Sequence, residues 1–168
     1  MEKRMVKVEE LIPLLHKNNI KFIIIGGQAA VLQGSGFVTA DIDFCYSRDK
    51  NNLENIVIAL SPFKPTLRGA DKNLPFIFDP KTLEMGMNFT FSTDIGDIDL
   101  LGEVTGIGNY EDTLKYSETL DIYNLPCKVL TLEGLIISKK ASTRQKDLIV
   151  LKELEAILEI QKRRKNNP

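Results

Sequence analysis

The chain has 168 residues, 43% of them hydrophobic and 27% charged, enough to bury one sizeable core and too few for two comfortable domains. Its 22 Lys and Arg nearly balance 23 Asp and Glu, leaving a formal net charge of -1; this excludes a global basic field that would hold nucleic acid by counterion release, so any such contact has to be local. Cys45 and Cys127 lie in different segments without CxxC spacing, which excludes a disulfide framework and a cysteine zinc site. They suit a reducing compartment. No apolar run approaches the ~18 residues of a membrane span, and Met1 to Glu10 lack the apolar core of a signal peptide. A cytoplasmic protein without membrane contact is expected.

In chain order, the first predicted element is a helix from Val6 to Lys17, with Val8, Leu11, Ile12, Leu14 and Leu15 on its core face. It carries the single histidine, His16, read as a helix-end residue. Hydrolases of the Ser-His-Asp and Cys-His types need an imidazole base, so chemistry here has to come from carboxylates, lysines and bound metal. Lys21 to Ile25 is a β-branched strand closed by Gly26-Gly27, and Ala29 to Leu32 begin a helix. Glycines at that junction let the backbone turn sharply and leave its N–H groups free to face an anion. A loop, Gly34 to Ala40, leads into a strand from Asp41 to Tyr46. Side chains alternate in a strand, so Asp41 and Asp43 share one face and Ile42 and Phe44 the other.

Lys50 to Leu60 has helical spacing in Leu53, Ile56, Val57 and Leu60. Arg68 to Asn73 reads as an exposed polar loop and Phe76 to Phe78 as an edge strand. Glu84 to Thr93 and Asp97 to Glu103 are predicted strands joined at Asp94-Ile95-Gly96, and the second carries a further acidic pair, Asp97 and Asp99. Gly102, Gly106 and Gly108 suit a turn. A short helix is predicted over Tyr110 to Lys115, then strands at Leu120 to Ile122 and Cys127 to Leu130 around Asn124-Leu125-Pro126. Thr131 is placed to cap a helix from Leu132 to Lys140. A last helix runs from Thr143 to Gln161 with Leu148, Leu151, Leu154, Ile157 and Leu158 on one face. The reading is a single α/β domain over residues 1–161, a mixed sheet flanked by helices, with a basic tail over 162–168 that frays.

A glycine turn after a central strand, an Asp-x-Asp on the next strand and a further strand acid make a more specific signal together than apart. Magnesium prefers oxygen ligands, typically one or two carboxylates plus substrate phosphates. Three carboxylates can hold two such ions around a triphosphate, one activating an attacking hydroxyl and the other steadying the departing pyrophosphate. The Gly26-Gly27 amides would cradle the phosphates beside them.

Gly26-Gly27, Thr39-Ala40-Asp41-Ile42-Asp43-Phe44, Gly96-Asp97-Ile98-Asp99-Leu100-Leu101 and the run from Leu132 to Leu148 resemble the DNA polymerase beta superfamily, in particular the minimal nucleotidyltransferases related to abortive-infection type IV toxins. The resemblance extends from about Phe22 to Leu154 and implies the nucleotidyltransferase fold, with Mg2+ or Mn2+ as cofactor and a nucleoside triphosphate (NTP) as substrate. It further implies transfer of a nucleoside monophosphate to a hydroxyl on a protein, an RNA end or a small molecule, in a toxin–antitoxin or defence setting. Asp41 and Asp43 then become paired metal ligands, Asp99 the third catalytic and metal-binding acid, and Lys140, Arg144 and Lys146 nucleotide contacts. Two positions depart from the pattern: relatives often carry a histidine where Gln33 stands and an arginine where Phe37 stands, and Phe37 cannot clamp a phosphate bidentately. The competing expectation is a non-catalytic nucleotide-binding or protein-interaction module on the same fold. Lys139 and Lys140 read equally well as a solvated helix end, and Arg144 and Lys146 as local ion-pair partners of Asp147.

Overall fold

The computed structural model describes residues 5–168; the expected domain start at residue 1 lies outside them. Helix α1 (Val8–Lys17) buries Leu11, Ile12 and Leu15. Before it, the Val6 and Lys7 N–H groups donate to the carbonyls of Ala40 and Ile95, tying these two residues to the loop ahead of Ile42 and the turn ahead of Gly96. His16 sits in the last turn of α1, edge-on to Phe22 and beside the Cys127 sulfur.

Strand β1 (Phe22–Ile25) is buried at every residue, as a β-branched run covered on both faces should be. It runs straight into α2 (Gly26–Leu32), and β2 (Ile42–Tyr46) follows the loop. The Asp49 carboxylate caps α3 (Lys50–Leu60) by accepting from the Asn52 N–H. After a short 3-10 turn come β3 (Thr66–Leu67), α4 (Pro80–Met85) and the hairpin of β4 (Asn88–Thr93) and β5 (Gly96–Leu101). Two-residue strands β6 (Glu103–Val104) and β7 (Gly108–Asn109) form a separate ribbon, in which Gly106 and Gly108 take positive φ, so these glycines do serve a turn. The chain closes with α5 (Tyr110–Leu114), β8 (Ser117–Ile122), β9 (Leu125–Leu130), α6 (Leu132–Ala141) and α7 (Gln145–Asn166).

Among the described residues, the main sheet has seven strands in the order β3-β4-β5-β2-β1-β9-β8. It is mixed: β2 and β5 are parallel, as are β1 and β9, and the remaining neighbours are antiparallel. Alternation along the strands sorts the chemistry. Phe44, Tyr46, Ile98 and Leu100 pack against Leu11, Leu15, Ile56 and Leu60 of α1 and α3, so the intervening residues Asp43, Asp97 and Asp99 project from the opposite face. No helix among the described residues is long and apolar enough to cross a membrane.

Several expectations need correction. Phe76 to Phe78 form no strand; Phe76 and Phe78 instead pack their rings on Phe91, and Thr66–Leu67 is the sheet edge. The strand expected from Glu84 begins only at Asn88, because Asp79 caps a helix at Thr82 with Pro80 in its first turn. Arg68, expected in an exposed loop, keeps 28% of its side chain exposed and pairs with Asp97 and Asp99. On α7 the inward face is Asp147, Val150, Leu151, Leu154, Ile157 and Leu158, which turns Leu148 out to 51% exposure. Residues past 161, expected to fray, continue that helix to Asn166 and are exposed.

Candidate active site

The inside of the acidic sheet face opens into a cavity of about 500 Å3. Asp41, Asp43 and Asp99 line one side, with Gly26 and Gly27; Lys139, Arg144 and Lys146 line the side formed by α6 and α7. Lys140 is not among the lining residues: it pairs with Glu155 at 3.2 Å with 60% of its side chain exposed.

Asp43 lies inside β2, between Ile25 of β1 and Asp99 of β5 as register partners. Burial, then the charges of Asp99 and Asp41 and a hydrogen bond with Asp99, push its carboxyl up to about 7. Asp41 stands just before β2 and accepts from the Thr39 hydroxyl at 2.6 Å. Asp99 is also raised by burial, against the opposing charge of Arg68. The Arg68 guanidinium places Nη2 2.6 Å from Asp99 Oδ1 and Nη1 3.2 Å from Asp97 Oδ2, and Asp97 further accepts from the Ser92 hydroxyl.

The cationic side is organised by Asp147, whose side chain is 2% exposed. It accepts from Lys139 Nζ at 2.6 Å, from Arg144 Nε at 3.0 Å and from the Ser142 hydroxyl. Against the burial that would raise it, hydrogen bonds from Lys139 and Ser142 and the charges of Lys139 and Arg144 hold Asp147 down at about 2. Lys139 was available to sequence reasoning: Leu132, Leu135 and Ile136 are buried, and Lys139 continues their i, i+3, i+4, i+7 stripe, whereas Lys140 falls beside it. The buried position of Asp147 had no comparable signal, and neither did Arg68, which reaches the site from a loop remote in sequence.

The loop before β2 is held from α7. Glu153 accepts from the Gly36 N–H at 2.7 Å and from the Ser35 hydroxyl at 3.1 Å. Gln33 is not among the cavity's lining residues and donates to Glu118 and to the Leu130 carbonyl. Phe37 is 48% exposed on the cavity rim.

Among the described residues, no three His, Cys, Asp or Glu side chains gather into a ready-made metal cage. Magnesium does not require one, since one or two carboxylates suffice when phosphates and water complete its octahedron. Asp41 and Asp43 provide that pair at the cavity wall. Gly26 keeps the flank of Asp43 clear: at its φ of +61°, an added Cβ would stand 2.2 Å from Asp43 Oδ2. The all-oxygen donor set therefore fits a hard divalent ion shared with a phosphate ligand.

A mixed sheet of this strand order flanked by helices gives this chain the nucleotidyltransferase fold. The solved structures it is similar to include the lincosamide antibiotic adenylyltransferase LnuA with bound lincomycin, at TM-score 0.60 and 14% identity, covering 92% of this chain and 99% of that one. Another is an antigenic nucleotidyltransferase-like protein from Paracoccidioides brasiliensis, at TM-score 0.51 and 14% identity, covering 93% of this chain and 78% of that one. No family model and no curated protein matches the chain by sequence.

Proposed function

We propose that the protein is a metal-dependent nucleotidyltransferase that moves a nucleoside monophosphate from an NTP to an acceptor hydroxyl. The observation that carries this reading is the division of one cavity into an oxygen-donor wall of Asp41 and Asp43 beside Gly26-Gly27 and a cationic wall of Lys139, Arg144 and Lys146. A triphosphate needs both walls.

Asp41 and Asp43 would hold magnesium or manganese jointly with the phosphates. The ion, when bound, would neutralise phosphate charge and favour the ionised acceptor oxygen. The Gly26-Gly27 backbone, free of side chains, lets the phosphates approach closely. Lys139, Arg144 and Lys146 offset triphosphate charge from the other side, and Asp147 positions Lys139 and Arg144. In the transfer, the acceptor oxygen bonds to the α-phosphorus as the bond to the β-phosphate oxygen breaks. Pyrophosphate leaves, and the hydroxyl proton passes to solvent.

The acceptor hydroxyl belongs to a protein side chain, an RNA end or a small molecule; the similarity to LnuA, which is an antibiotic adenylyltransferase, supports the last. A toxin–antitoxin or defence setting is supported by the resemblance of the sequence motifs. The second reading, a non-catalytic nucleotide-binding module, is favoured by Phe37 on the rim where relatives carry a phosphate-clamping arginine. Incubation of the pure protein with each α-labelled triphosphate and magnesium, alone and then with cell extract, separates the two. Label transfer that Asp43→Asn abolishes supports the enzyme, and metal-dependent triphosphate binding without any transfer supports the module.

A further inference from the structure

Arg68 follows directly on β3, and its backbone N–H donates to the Thr90 carbonyl at 2.9 Å. Thr90 is the register partner of Asp99. The backbone thus brings the guanidinium alongside the two acids that alternate along β5. Its fork spans them, 2.6 Å to Asp99 and 3.2 Å to Asp97, and the three side chains keep only 28%, 14% and 20% of their surface exposed for Arg68, Asp99 and Asp97. Nη2 hydrogen-bonds Asp99, whereas Nη1 is held near Asp97 by charge alone, without a hydrogen bond; both acids are placed by strand register, so the guanidinium is anchored chiefly on Asp99.

This arrangement conflicts with a second ion on Asp99. Oδ1 of Asp99 is engaged by the guanidinium, whose Nη2 donates to it at 2.6 Å. A magnesium ion at its ligand distance of about 2.1 Å from that carboxylate would stand within a few ångströms of the guanidinium, in a poorly solvated site where like charges repel strongly. We propose that Arg68 is a positioning residue that withholds Asp99 from metal, so that this site works with one divalent ion, on Asp41 and Asp43, in place of two. Arg68 supplies the fixed positive charge on the Asp99 side that a second ion would otherwise supply. The inference rests on the functional reading above, and it concerns the number of ions.

The test is a count of bound Mn2+ by electron paramagnetic resonance on the full chain, saturated with a non-hydrolysable triphosphate analogue. The parent is expected to hold one Mn2+, and Asp99→Asn also one, with analogue affinity within about threefold of the parent. Arg68→Ala frees Asp99 and is expected to raise the count to two. Arg68→Lys, which retains the charge, is expected to keep it at one, and together with the parent and Asp99→Asn it decides the matter if Arg68→Ala fails to fold. Two ions in the parent, or one ion fewer in Asp99→Asn, overturns the inference. Asp43→Asn tests the functional reading separately: it should bind no Mn2+, and a variant that binds like the parent overturns that reading and with it the inference.

Discussion

Asp43 and Asp99 are register partners across the parallel β2–β5 pair, so two carboxyl groups stand side by side on one sheet face. Burial and the neighbouring acids raise Asp43 from 3.8 to about 7. The native state therefore keeps a proton that the unfolded chain releases. Stability falls as pH rises wherever the native state binds more protons, so this residue destabilises the fold progressively between those two values. Asp147, held at about 2, has made nearly its full contribution by about pH 5 and does not alter the slope above it. Thermal melts in chelator from about pH 5 to about pH 8 should show a falling melting temperature in the parent and a flatter profile, higher at the alkaline end, in Asp43→Asn. Parallel profiles for the two proteins would contradict the placement of Asp43.

Gly26 and Gly34 both take positive φ, at +61° and +107°, but only the first abuts the acids. Either glycine replaced by alanine should cost about 1–2 kcal/mol for the left-handed backbone. Gly26→Ala should in addition abolish stabilisation by magnesium and triphosphate, because its Cβ displaces the Asp43 carboxylate; Gly34→Ala, whose Cβ meets nothing closer than Ile157 at 3.9 Å, should keep it. Differential scanning fluorimetry with and without ligand distinguishes them, and an equal loss in both would locate the effect in the fold.

Adjacent lysines on α6 should differ sharply. Lys139 is paired to a carboxylate 2% exposed, whereas Lys140 and Glu155 are 60% and 46% exposed. Asp147→Asn strands the Lys139 ammonium, 19% exposed, while Arg144, 66% exposed, stays solvated, and should cost about 3 kcal/mol, with a loss of triphosphate affinity. Lys140→Ala should change stability by less than about 1 kcal/mol and leave affinity unaltered. Denaturant unfolding and calorimetric titration give both quantities, and a Lys140 variant that loses affinity would reverse the assignment.

Phe37 is half exposed on the cavity rim, so Phe37→Arg should fit without disturbing the core. A guanidinium there should tighten triphosphate binding about tenfold through charge-assisted hydrogen bonds, with a melting temperature near that of the parent. Unchanged affinity would mean that the rim of the cavity does not approach the phosphates.

The buried strands and the helix capped by Thr131 were readable because their signals are local. The Phe22–Ile25 run, the alternation Ile42-Asp43-Phe44 and the Thr131 cap each encode their own structure. Alternation also put Asp97 and Asp99 on one face, but it could not show which face met a helix or that a guanidinium waited there. Arg68 meets Asp99 only because β3 pairs with β4 and β4 with β5, a relation that no spacing in the chain expresses. The outward turn of Leu148 has a similar origin: Asp147 takes the inward position because Lys139 and Ser142, on the preceding helix and its cap, are there to neutralise it. Periodicity ranks apolar residues for burial and has no means of ranking a carboxylate whose partners lie in another element.

Asp41, Asp43 and Asp99 of the cavity lie in the sheet or directly before its strand β2, whereas Lys139, Arg144 and Lys146, with their partner Asp147, belong to the α6–α7 hairpin, and Glu153 of α7 also holds the loop at Gly36. The pocket thus has its two polarities on separately anchored pieces of backbone. Detachment of α7 alone, with every strand still paired, would remove Arg144, Lys146 and the Asp147 partner of Lys139 from the cavity and release the rim in the same motion. The integrity of this pocket is consequently a property of helix docking, and amide exchange along α7 is where its loss would first be recorded.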